Sequence, residues 1–138
     1  MKKRKLISVI LMIFTIATVC AFPASAKGNI SDVEFWFGLN QDTRQYSAPR
    51  PKWDSTSIYI KLYSSTPYKI TAYGAHYNSP WSWDHEGRKY VVYPGGERWM
   101  VNWIYEECGY GAQTTLIGEG MVTPDYYNAR GVWSPDSV

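Results

Sequence analysis

Both histidines, two of the seven tryptophans and two carboxylates fall within residues 75–87, the most chemically dense stretch of the chain. Trp81 and Trp83, two apart, share a side of any extended backbone. With His76, Tyr77, Asn78, Asp84 and His85 beside them, they resemble a carbohydrate platform. There the apolar ring faces stack on a sugar and the flanking polar groups take its hydroxyls. Exposed Trp and Tyr equally suit a protein interface or the headgroup layer of a membrane. The loop can also fold its own aromatics over a sheet edge. The candidate binding residues are His76, Tyr77, Trp81, Trp83, Asp84 and His85.

Other chemistries have less behind them. His, Asp and Glu are suitable metal ligands, but His76 and His85 stand nine apart, with no H-E-x-x-H helix and no cysteine pair. No metal site and no cofactor are assigned. The chain lacks a G-x-S-x-G elbow, a P-loop and a dinucleotide fingerprint. A glycosidase-type carboxylate pair is defined by spatial separation, and twelve acidic residues bring some carboxylates together by chance. No catalytic residue is assigned, and the chain reads as a non-enzyme.

The N-terminus sets where such a surface works. Lys2, Lys3, Arg4 and Lys5 precede an uncharged apolar run over 6–22, and Ala24-Ser25-Ala26 forms an A-x-A site before Lys27. That order is a secretory signal peptide, residues 1–26, cleaved after Ala26. An uncleaved anchor is the alternative, since the run approaches the length of a bilayer span. Pro23 breaks the helix where cleavage needs an extended chain, and no later segment is apolar enough to span. A lipobox at Cys20 is rejected, because Val19 stands where a small residue is required. Without the leader, ten basic residues face twelve acidic ones, a net charge of −2 where the whole chain carries +2. No electrostatic case for nucleic acid remains.

What remains, 27–138, suits one β domain with one core. Its lone cysteine, Cys108, is either buried and inert or open to intermolecular pairing. The chain reads as a monomer, with a Cys108-linked dimer as the alternative. Glu106 and Glu107 raise the thiol pKa, which argues against a nucleophile.

Period-two alternation dominates this region. It predicts strands near 32–38, 58–63, 68–75, 89–93, 98–105 and 113–121. Residues 39–55 read as a loop, and Ser64-Ser65-Thr66-Pro67 as the turn of a hairpin between the second and third strands. Pro94-Gly95-Gly96-Glu97 is a further turn. Trp99, Val101, Trp103 and Tyr105 lie on one face of their strand, opposite Met100, Asn102 and Ile104, and Trp103 and Tyr105 are core candidates. Gly118 and Gly120 mark a bulge or a close backbone approach. Six to seven short strands give an all-β fold, an antiparallel β-sandwich or small barrel. The aromatics carry the core in place of disulfides. All seven Trp and all twelve Tyr lie beyond the leader, more than one small core holds, so some are exposed. Trp133, followed by Ser-Pro-Asp, anchors the tail.

Several short motifs carry a resemblance. They are Tyr93-Pro94-Gly95-Gly96, the run from Val101 to Glu107 with Gly109-Tyr110, residues 112–118, and Gly131-Val132-Trp133-Ser134-Pro135-Asp136-Ser137-Val138. With Gly28-Asn29-Ile30-Ser31-Asp32 and the strand at 58–62, the chain resembles a family of small secreted proteins of Gram-positive bacteria known only as a domain of unknown function. The resemblance implies export and a β-rich fold and brings no activity with it. A looser likeness, of architecture alone, is to β-sandwich bacteriocins of the lactococcin 972 type. The expected function is a non-catalytic secreted protein that binds cell-wall glycan or another extracellular protein through exposed aromatics. A bacteriocin acting on competitor envelopes is the second reading, and an envelope hydrolase or hydrolase inhibitor the third.

Overall fold

Alternation in the first strand places Phe35, Phe37 and Leu39 on one side and Glu34 and Trp36 on the other, and burial follows it: the first three are buried, the last two exposed. The structure, a computed structural model, describes residues 28–78, 88–121 and 126–138. Among these, nine strands run in chain order: β1 (Val33–Leu39), β2 (Arg44–Tyr46), β3 (Arg50–Lys52), β4 (Ile58–Leu62), β5 (Ile70–His76), β6 (Tyr90–Val92), β7 (Glu97–Met100), β8 (Ala112–Gly120) and β9 (Tyr127–Ser134). A short helix, α1 (Ile104–Cys108), lies between β7 and β8.

The strands form two antiparallel sheets, as the alternation predicts. One has the order β1-β9-β4-β7, and the other β2-β8-β5-β6, with β3 also paired to β8. One hydrophobic cluster joins them. Phe35, Phe37, Ile58, Ile60, Leu62 and Trp133 come from the first sheet, and Ile70, Ala72, Val92 and Leu116 from the second. The sheets do not close into a barrel.

Three local expectations are corrected. Residues 39–55 are not only loop, because β2 and β3 pair with β8 over Arg44–Tyr46 and Arg50–Lys52. Pro51 is tolerated there because β3 lies at the margin of its sheet. The stretches at 58–62 and 70–76 are not a hairpin pair. Both edges of β4 are occupied, by β9 and β7, so the chain after Leu62 crosses to the other sheet. The expected turn at 94–97 is present, closed by the Gly96 amide on the Tyr93 carbonyl, and carries the chain from β6 in one sheet to β7 in the other.

The third correction concerns 98–105. Met100 pairs with Ile58, the first residue of β4, so the ladder ends there. Asn102 then turns the chain: its amide donates to the Met100 carbonyl, and its Oδ1 accepts from Ile104 N. The backbone continues as α1. The inward set is Met100, Asn102 and Ile104, while Trp103 is exposed and Tyr105 half-buried. The alternation was legible, and the side that faces the core was the opposite one.

Glycines mark close approaches, as Gly118 and Gly120 suggest. A Cβ on Gly118 would meet the Phe37 ring at 2.5 Å, and one on Gly120 would overlap the Asn40 carbonyl. Gly131 of β9 is similar, since a methyl there would strike the Lys61 carbonyl oxygen of the neighbouring β4 and come within 2.8 Å of the Phe35 ring. Gly131→Ala should therefore cost about 1–3 kcal/mol, the usual range for an overpacked core. A urea midpoint equal to that of the unaltered protein would count against this packing.

The C-terminus ends in a buried lock. The Lys52 ammonium, fully buried, donates to the carbonyls of Thr56 (2.6 Å) and Pro135 (2.7 Å) and to Asp136 Oδ1 (2.9 Å). Asp136 Oδ2 accepts from the backbone amides of Asn29 (2.6 Å) and Trp53 (2.9 Å). Thus the start of the described chain, β3 and the residues after β9 are held at one point. Burial pushes the Asp136 carboxyl upward, but the bonds from Trp53, Lys52 and Asn29 outweigh it and hold the group below the usual carboxylate range.

Candidate functional site

The strands of the four-stranded sheet turn their alternate residues outward. On β4, Tyr59 and Lys61 stand opposite the buried Ile58, Ile60 and Leu62. On β9, Asn128, Arg130 and Val132 face out, and on β7, Glu97 and Trp99 do so beside Lys61 and Tyr59. Cross-strand register then decides which side chains meet. Tyr59 lies directly opposite Trp99, with ring centroids 5.5 Å apart and planes tilted by 52°.

The Tyr59–Trp99 pair walls a cleft of about 290 Å³, completed by Ile30, Asp32, Ser134, Asp136, Ser137 and Val138. Trp99 is 50% exposed. The Tyr59 hydroxyl donates to Glu97 Oε2 at 2.8 Å, which fixes the ring in place. Partial burial, then the bond and the charge of Glu97, push the Tyr59 pKa up to about 12, so the phenol stays protonated. The cleft offers two aromatic surfaces set at an angle, with carboxylate and hydroxyl groups at its edge. That suits an uncharged ligand having both apolar faces and hydroxyls. It offers no activated nucleophile.

The other concave regions are built differently. Along the free side of β1, a groove of about 470 Å³ runs past Trp36, Phe37, Tyr46, Ala48 and Arg50. Near β2, Arg44 and Lys89 converge on Glu119 at 2.6 and 3.1 Å, and the Tyr73 hydroxyl donates to the same carboxylate at 2.9 Å. Burial works against ionisation of Glu119, yet these donors hold it below its ordinary range. The two cations serve that carboxylate, so this cluster reads as structural.

Of the candidate residues in the 75–87 loop, Trp81, Trp83, Asp84 and His85 lie outside the described residues. His76 is half-buried at the end of β5, and Tyr77, just beyond it, is exposed with its backbone amide on the Gln113 carbonyl. Cys108 is exposed on α1, which corrects the buried alternative. Partial burial and Glu107 raise its pKa. Among the described residues, no group of three or more His, Cys, Asp and Glu could hold a metal ion, and no helix is long and apolar enough to cross a membrane.

The motifs that carry the family resemblance map onto this frame. The last eight residues form the central part of the four-stranded sheet and its buried lock, and 112–118 lies in the central strand of the other. A family model described as a protein of unknown function, DUF2712, matches residues 22–137. The chain belongs to DUF2712. No curated protein and no solved structure matches it. Membership of DUF2712 bears out the resemblance to a domain of unknown function and assigns no activity.

The platform pair itself was missed in the sequence. Tyr59 was readable as outward-facing from the alternation of β4. Alternation groups Trp99 with Trp103 and Tyr105, the core candidates, and nothing in one dimension pairs β4 with β7.

Proposed function

We propose that the protein is exported by a leader cleaved after Ala26 and acts outside the cell as a non-catalytic binding protein for envelope glycan. The basic and apolar segments before Ala24-Ser25-Ala26 support export, and the DUF2712 match begins at residue 22, where the apolar run ends. The glycan reading is carried by one observation. Trp99 is half exposed and lies across from a Tyr59 whose hydroxyl is locked by Glu97, a rigid aromatic corner open to solvent. Rigid rings lose little entropy on binding, which is why Trp and Tyr dominate binding hot spots.

The test is retention on purified peptidoglycan sacculi. Trp99→Ala should weaken retention at least about tenfold, the scale of a hot-spot truncation. Loss in a Trp81→Ala, Trp83→Ala double variant, with Trp99→Ala unchanged, would move the site to the 75–87 loop. If neither variant differs from the parent protein, the aromatic-surface reading is wrong.

A further inference from the structure

The outward face of the four-stranded sheet has a second aromatic group. Trp36 on β1 is 69% exposed, with the Arg130 guanidinium 5.9 Å from its ring centroid. β1 and β7 are the two edges of this sheet, so Trp36 and Trp99 stand at opposite edges. They also differ in level. Trp36 pairs with Arg130, whereas Trp99 pairs with Tyr59 and Tyr59 with Ser134, four residues further along β9. Three strand spacings across and four residues along place the two rings roughly 20 Å apart on a diagonal.

Between them the face is polar. Glu34, Val132, Lys61 and Glu97 form one row across the four strands. The Tyr63 hydroxyl donates to Glu34 at 2.9 Å and the Tyr59 hydroxyl to Glu97 at 2.8 Å. Lys61 and Arg130 balance Glu34 and Glu97 in this central part, and Asp32 at the Trp99 cleft adds one negative charge, so these groups leave no excess of cations. A protein-binding surface has the opposite layout, an apolar centre with charged residues at the rim. A membrane-binding surface needs an excess of cations or an apolar face. Aromatics at two far corners of a neutral, hydrogen-bonding field fit a long, uncharged, hydroxyl-rich ligand.

We infer that this face binds a linear polysaccharide laid diagonally from Trp99 to Trp36, each ring stacking on a separate sugar. The inference rests on the glycan reading of the Tyr59–Trp99 cleft and adds a minimum length to it. A disaccharide occupies the cleft alone, and only a longer strand reaches Trp36.

The test uses uncharged β-1,4-linked N-acetylglucosamine oligosaccharides, from disaccharide to octasaccharide, titrated calorimetrically into the purified protein. Affinity should rise about tenfold or more with length, as one added stacking contact supplies. Trp36→Ala should remove that rise and leave disaccharide affinity unchanged, and Trp36→Phe should keep most of it. Trp99→Ala should lose binding at every length. Affinity independent of length, or a rise that survives Trp36→Ala, overturns the diagonal and leaves the cleft reading intact. If no oligosaccharide of any length binds and sacculi do not retain the protein, both fall.

Discussion

A chain truncated after Arg130 should lose its cooperative thermal transition and its near-ultraviolet tryptophan signal. β9 runs between β1 and β4, and its whole register with β4, from Leu62↔Gly131 to Tyr59↔Ser134, uses residues beyond the cut. With β1 it would keep only the pairs from Trp36↔Arg130 to Leu39↔Tyr127. The four-stranded sheet would divide into a β1–β9 remnant and a β4–β7 pair, and two-stranded ribbons are marginal in water. Trp133 is buried to 1% exposure, and truncating a buried aromatic alone costs about 3–5 kcal/mol. Domains have only about 5–15 kcal/mol of stability to lose. A truncated chain that melts like the full one would show that β9 is dispensable.

Asp136→Ala should destabilise the protein by about 3–5 kcal/mol, the usual cost of leaving one partner of a buried ion pair alone. The residual Lys52 ammonium keeps the Thr56 and Pro135 carbonyls but loses its counter-charge. The amides of Asn29 and Trp53 lose their acceptor as well. Melting should fall by at least about 10 °C, and Asp136→Asn should be milder because a carbonyl oxygen remains for those amides. The carboxyl is held below its ordinary range in the fold. Its contribution is therefore present above the unfolded value, about pH 3.9, and is lost as pH falls through the lower folded one. Asp136→Ala lacks that contribution at neutral pH, so its stability should fall less than the parent's on acidification below about pH 4. Equal melting of Asp136→Ala and the parent protein at pH 7 would mean that the pair contributes nothing.

The same two elements show how far reading residues in order can go. Val33 to Leu39 and Ile58 to Leu62 were legible because one face of each is buried, and burial imposes a period of two. Trp133 was legible as an anchor because Ser-Pro-Asp after it cannot prolong a strand. Its position in the middle of a sheet was not, since the pairing of residues near 133 with those near 33 and 60 leaves no trace in local pattern. Nor did Lys52 announce itself. A lysine inside a polar, proline-containing stretch reads as solvated until Asp136, 84 residues on, removes it from water. That the expected strand at 98–105 stops at Met100 was settled by where β4 begins, a partner's property and not the segment's own.

By itself the sequence determined the all-β class, the turns at glycine and proline and most strand positions, because each follows from steric and burial preferences acting over a few residues. It also carried the motifs by which the chain resembles its family. The tertiary structure alone decided which strands are neighbours, which side of 98–105 meets the core, and that Tyr59 and Trp99 form one platform with Trp36 at the far edge of the same face. Those are contacts between residues tens of positions apart. They are set by the requirement that two amphipathic sheets bury their apolar sides against each other, a condition on the whole chain that no short stretch of it contains.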